Sequence, residues 1–154
     1  NGNLRYPSTG RSANQLTTLD TIGVFSPRLS PPAAQQPALV DPYGTAGTLE
    51  QRARAYLHTN CANCHRPGGS TPSPMDLRWQ TALSATNACN VPPQAGDLGV
   101  AGARIIAPGA PDRSVLVLRT ERRDAVGMPP LASHVVDAEG AQLLRQWIAQ
   151  LGGC

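Results

Sequence analysis

The stretch that most restricts this chain is YLHTNCANCHRPGG, residues 56–69, which carries Cys61, Cys64 and His65 in the order C-x-x-C-H. Two thiols and an imidazole this close together point to one shared use, and the fold has to accommodate whatever uses them. Three chemistries compete. A structural zinc ion takes four ligands, whereas a single C-x-x-C supplies two thiolates. His65 adjoins Cys64 and cannot easily turn back onto an ion held by its neighbours, and His58, His134, Cys89 and Cys154 show no paired ligand spacing. A thioredoxin-like redox pair needs its cysteines at the start of a helix that follows a strand, where the helix dipole lowers a thiol pKa. Here the pair follows a helical pattern, with no βαβ sequence around it.

A haem uses every part of the motif. The thiols add across the two vinyl groups of the porphyrin as thioethers, and the two intervening residues set the separation those vinyls require. His65 then comes under the iron as an axial ligand. The motif therefore predicts a second axial ligand elsewhere. His58 lies on the same helix as Cys61, on the proximal side. Met75 is only ten residues beyond His65, which makes the path around the ring edge tight. Met128, in GMPPL, can reach the opposite face from a proline-stiffened loop and is the expected ligand, with His134 as the bis-histidine alternative. Methionine is also a flexible core filler, and if that is its role the iron is five-coordinate.

The surrounding pattern predicts mainly α structure. Thr48 and Gln51 fit a capping box, and Leu49, Ala53, Tyr56 and Leu57 share one helical face that runs into Cys61. Residues 66–112 are rich in Gly, Pro, Ser and Thr and read as loops. PDRSVLVLRTERR, from 111, reads as a second helix starting near Pro111 or Asp112. Asp137 is a fitting N-cap for a last helix with Leu143, Leu144, Trp147, Ile148 and Leu151 on its apolar stripe, stopped by Gly152 and Gly153. RIIA at 104–107 is the one strand signal. Residues 1–47 read as an arm or linker: prolines at 27, 31, 32, 37 and 42 bar a long helix, and SANQLTTLDTIGVF allows one short helix with Leu16 and Leu19 inward.

Aromatic residues are only 4% of the chain, so a domain of this kind is short of core material, and a large apolar group would supply part of it. The net charge of +3 is carried by arginine alone, without a basic cluster interleaved with aromatics, so nucleic acid is not an expected partner. No apolar run approaches the ~18 residues of a membrane span. The chain begins at Asn1 and reads as processed or truncated. With Cys61 and Cys64 given to a cofactor, Cys89 and Cys154 either remain thiols or pair as a disulfide in an oxidising compartment.

A helix entering C-A-N-C-H, Met128 in a late M-P-P loop and a closing helix with Trp147 together resemble class I c-type cytochromes. PGAPDRSVLVLR from Pro108, MPP from Met128 and Trp147-Ile148 are similar to motifs of exported bacterial cytochrome domains, over about Thr48 to Leu151. YLHTNCANCHRPGGSTPSPMDLRW also resembles a group of predicted dihaem c-type cytochromes, although this chain has a single C-x-x-C-H.

The resemblance implies a class I cytochrome c-like helical fold around one covalently bound haem c. An irregular Pro-rich N-terminal arm would occupy 1–47 and the cytochrome c domain 48–154. It implies a crossing of the first and last helices, with Ala55 or Tyr56 against Trp147 or Ile148. The carbonyl of Pro72 or Pro74 would accept a hydrogen bond from His65. Arg66, Arg78, Trp79 and Arg104 would serve the haem propionates, unless they are solvated arginines and a packing tryptophan. The implied function is electron transfer with His65 and Met128 on the iron, as an electron carrier or as a domain or fragment of a larger redox protein, which leaves open whether it belongs to an enzyme. The implied partner is a redox protein or a fused dehydrogenase domain, in the periplasm or outside the cell. The rivals are a five-coordinate or bis-histidine haem with a peroxidase-like or gas-sensing role, and a haem that only supports the fold.

Overall fold

A computed structural model describes residues 1–131 and 133–154, and the chain falls into two units, Asn1–Leu39 and Val40–Cys154. In the first unit, strands β1 (Asn3–Arg5) and β2 (Ser12–Asn14) pair antiparallel, Asn3 opposite Asn14, Leu4 opposite Ala13 and Arg5 opposite Ser12. Helix α1 (Gln15–Thr21) starts at once, because Asn14 ends the hairpin and also caps the helix: its Oδ1 accepts from the Thr17 N–H at 3.1 Å. Asn1 closes the unit from the other side, its Nδ2 donating to the carbonyls of Ala33 and Gln36 at 2.8 Å each. Little apolar surface is covered: Ala33 is the one buried hydrophobic residue of this unit, and Leu4, Ile22 and Val24 stay exposed.

The second unit carries α2 (Leu49–Asn60), α3 (Val115–Thr120) and α4 (Ala138–Gln150). The Thr48 hydroxyl accepts from the Gln51 N–H at 3.1 Å, and Gln51 Oε1 accepts from the Thr48 N–H at 2.8 Å, which completes the capping box of α2. Asp137 caps α4 by accepting from the Gly140 N–H at 3.0 Å. The two helices pack on each other through buried Ala53, Tyr56 and Leu57 on one side and Leu143, Leu144, Trp147 and Ile148 on the other. Tyr56, expected against Trp147 or Ile148, has Gly140 against its ring; a Cβ added at Gly140 would lie 2.2 Å from Tyr56 Cε2. Leu77, Ile106 and Val117 complete the buried core, and a disulfide joins Cys89 to Cys154.

The expected mainly α, class I cytochrome c-like helical fold is overturned. Among the described residues, helical turns hold only 31%, in four short α-helices and three single-turn 3₁₀ segments, beside a two-stranded sheet. The arm is corrected too, since its first residues form a hairpin. The physical reason lies in the long passage from α2 to α3. Pro72, Pro74, Pro92, Pro93 and Pro108 remove backbone donors there, and Asn87 and Asn90 turn the chain through left-handed conformations, φ 52° and 55°. That passage holds only the 3₁₀ turns Leu83–Ala85 and Pro111–Arg113.

The helix read from 111 is broken at Ser114, whose backbone (φ −96°, ψ 101°) is extended. The chain gains other bonds in exchange. Val115 N–H donates to Arg104 O at 2.8 Å, Leu116 N–H donates to Ile105 O at 3.0 Å, and the buried Ser114 Oγ accepts from Ala107 N–H at 2.9 Å. RIIA accordingly forms no strand, only isolated parallel bridges of Ile106 with Cys89 and of Arg104 with Ser114. Among the described residues no helix is long and apolar enough to cross a membrane.

Candidate functional site

α2 delivers the motif. The Cys61 N–H closes the last helical turn on Leu57 O at 2.9 Å, and then the chain reverses, with Cys64 N–H and His65 N–H both donating to Cys61 O at 3.2 and 2.9 Å. Gly69 folds back over this turn, and a Cβ there would lie 2.1 Å from the Cys64 carbonyl oxygen. The His65 carbonyl accepts from the N–H of buried Leu77 at 2.9 Å, which ties the motif to the core. Next to Leu77, the buried Asp76 carboxylate takes Arg78 Nε at 2.9 Å, Arg78 Nη2 at 2.7 Å and the Thr81 hydroxyl at 2.8 Å. The Arg78 bonds hold its pKa well below the usual carboxylate range against the opposing effect of burial.

Cys61, His65, Met75 and Met128 line one apolar hollow, walled also by Leu77, Ile105, Val115 and Leu116. Its volume is ≈ 270 Å³, just below the roughly 300–1,000 Å³ of pockets that bury most of a bound small molecule. Burial lowers the His65 pKa below its ordinary value, so the imidazole is neutral at pH 7. Its Nδ1 is buried without a hydrogen-bond partner among the described residues. Neither proline carbonyl receives it, and Pro74 O accepts instead from Asn87 Nδ2 at 3.2 Å. A neutral, unpaired imidazole beside two thioethers and a thiol is a donor set for a soft or borderline metal. Its apolar walls suit a group that carries its own ring, so these residues fit a haem.

The other two uses of the motif fare worse. Cys61 and Cys64 are both free thiols, and burial, with Cys64 adding, pushes the Cys61 thiol up to about 12. A thiol held protonated in this way is a poor redox nucleophile. No three His, Cys, Asp or Glu side chains gather as a metal site among the described residues, which leaves zinc without its ligands.

The remaining expected residues do not line the hollow. Arg66 is exposed and donates from Nε to Asn63 O at 3.4 Å. Arg78 is engaged by Asp76, and Trp79 lines a separate, smaller hollow with Arg54. Arg104 lies in a third, shallow one with Asp97. His58 Nδ1 accepts from the Trp79 N–H at 3.2 Å, and His134 is exposed. Arg119 does line the apolar hollow and was not among the expected residues. Its sequence signal is helical spacing, since it follows Val115 by four and Leu116 by three and so shares their face.

No protein-family model, curated protein or solved structure matches the chain.

Proposed function

We propose that this chain is an electron-transfer protein that carries one haem c, joined through Cys61 and Cys64, with His65 and Met128 as its axial ligands. The observation behind this reading is the meeting of the motif residues Cys61 and His65 with Met128, 63 residues further along the chain, on the wall of one apolar hollow. A bound haem iron supplies one-electron exchange between Fe(II) and Fe(III). The residues do the rest. The cysteine sulfurs anchor the ring edge, and His65 would offer a ring nitrogen, its Nδ1 being buried without a hydrogen-bond partner among the described residues. Met128 offers a thioether, which favours the reduced metal relative to a second histidine. Leu77, Ile105, Val115 and Leu116 keep water from the ring faces.

The Cys89–Cys154 disulfide suits an oxidising compartment, which favours the periplasm or the exterior. A redox protein or a fused dehydrogenase domain would be the partner there. Met75 also lines the hollow and is the one residue that favours a second version of the site, with its sulfur in place of Met128.

The test is chain purified from a host that attaches haem c. Its mass should rise by one porphyrin, and the oxidised form should show the weak red band of sulfur ligation. Met128→Ala should abolish that band and lower the potential while the mass gain stays. A band lost in Met75→Ala and kept in Met128→Ala transfers the ligand to Met75. A colourless protein of unmodified mass ends the reading.

A further inference from the structure

We infer that Arg119 is the positioning residue for Met128, a clamp that holds the methionine loop across the mouth of the hollow; the inference rests on the haem reading above. Arg119 stands at the end of α3 and grips the loop from two directions. Its backbone carbonyl accepts from the Met128 N–H at 2.8 Å. Its guanidinium Nη1 donates to Val126 O at 2.8 Å, two residues earlier in the same loop. The other arm of the fork, Nη2, donates to Ala95 O at 2.6 Å and reaches Gly96 O at 3.4 Å. Ala95 and Gln94 also line the hollow. One planar group thus ties the Met128 loop to the 95–96 segment, which is a task for a fork of fixed geometry rather than for a point charge.

Two further features make the loop depend on this clamp. Gly127 is folded onto the backbone of Arg122, so closely that an added Cβ would lie 2.5 Å from that carbonyl oxygen, and its N–H closes a turn on Asp124 O at 2.9 Å just before Met128. Arg123 Nη1 also donates to Met128 O, but at 3.2 Å, and the same nitrogen donates to Thr120 O at 2.9 Å. Arg119 is also the one arginine among the described residues that line the hollow. It therefore places a fixed positive charge on the hollow's wall, whose effect has to be separated from that of the clamp.

Arg119→Lys keeps the charge and loses the fork, whereas Arg119→Gln loses both. Each is made in the full chain and matured in a haem-attaching host. Haem attachment should be unchanged in both, because Cys61, Cys64 and His65 lie outside the clamp. The sulfur band of the oxidised form should be lost in both, with a fall in potential. In the chain without haem, protease should cut residues 124–131 about tenfold faster in both variants than in the parent, the factor set by losing roughly one charged hydrogen bond. A lysine variant with the parent's band and cutting rate overturns the clamp in favour of charge alone. Parent-like behaviour of both variants overturns it altogether. A parent chain that takes up no haem ends the functional reading instead, and the cutting rates then still decide whether Arg119 holds the loop.

Discussion

Gly69 lies four residues past His65 and has no room for a side chain, since a Cβ there would come within 2.1 Å of the Cys64 carbonyl oxygen. The turn beneath it is the one that aims the motif, because Cys61 O receives the N–H groups of both Cys64 and His65. Gly69→Ala is expected to cost about 1–3 kcal/mol, the usual result of forcing a methyl group into a filled space. It should also cut haem attachment several-fold, because the two sulfurs lose their spacing. A denaturant midpoint measures the first effect and intact mass the second; no change in either means that the turn absorbs the methyl group. At this scale the sequence reveals the residues that act as neighbours: Cys61, Cys64 and His65 are a pattern before they are a place. It hides Gly69, whose contact is with backbone and leaves no side-chain signature. Arg78 shows the opposite failure. An arginine near the motif looks available to an anion, and only the fold shows Asp76 already holding it.

Each helix of the second unit is as legible as its ends. Thr48 with Gln51 and Asp137 with Gly140 fix the starts of α2 and α4 through local hydrogen bonds that sequence spacing encodes directly. α3 is short because Ser114, a plausible helix residue, is worth more to the fold as an acceptor for Ala107. That is a non-local bond, which helical periodicity does not register. Asp137 does more than cap. Its carboxylate also accepts from the Tyr43 hydroxyl, and the Tyr43 and Tyr56 rings meet edge to face with centroids 6.3 Å apart. Burial raises the Asp137 pKa, but the bonds from Tyr43 and the Gly140 N–H outweigh it and leave the pKa below the usual carboxylate value. A carboxylate whose pKa is lower in the folded than in the unfolded chain stabilises above the unfolded value, near about pH 4, and this contribution is lost as pH falls through the folded value. Asp137→Ala should therefore cost about 1–2 kcal/mol at pH 7 through the lost cap. The gap between variant and parent in urea melts should narrow below about pH 4. A gap that stays constant down to pH 2 would show that the carboxylate charge plays no part.

For the whole molecule the difficulty is scarcity. One Phe, three Tyr and two Trp in 154 residues leave little to bury, while 15 Gly and 15 Pro add bends. Much of the second unit is loop laid over the α2–α4 pair, and loops of this kind stay in place by being tied down. The residue pattern shows that such loops exist and says little about their course, which is why the bonds from Arg119 to Ala95 and Val126 escape a reading by periodicity even though the helical face of Arg119 does not. The strongest tie is covalent. Cys89 lies in the loop passage and Cys154 beyond α4, with 65 residues of separation. Their bond fastens the end of the α4 segment to the loop that also pairs with Ile106. In the chain-entropy view, closing a loop this long removes about 4 kcal/mol from the unfolded state, and measured effects are commonly about 2–4 kcal/mol. Cys89→Ser with Cys154→Ser, made together to avoid a stray thiol, should lower the unfolding free energy from urea melts by that amount, and dithiothreitol should bring the parent down to the same midpoint as the double variant. The haem-bearing form should lose less in relative terms, because two thioethers and two axial bonds would then cross-link the same unit independently of the disulfide. If the midpoint of the haem-free chain is indifferent to both the double substitution and the reductant, the loops are held by packing and hydrogen bonds alone, and clamps such as Arg119 carry more of the fold than the disulfide does.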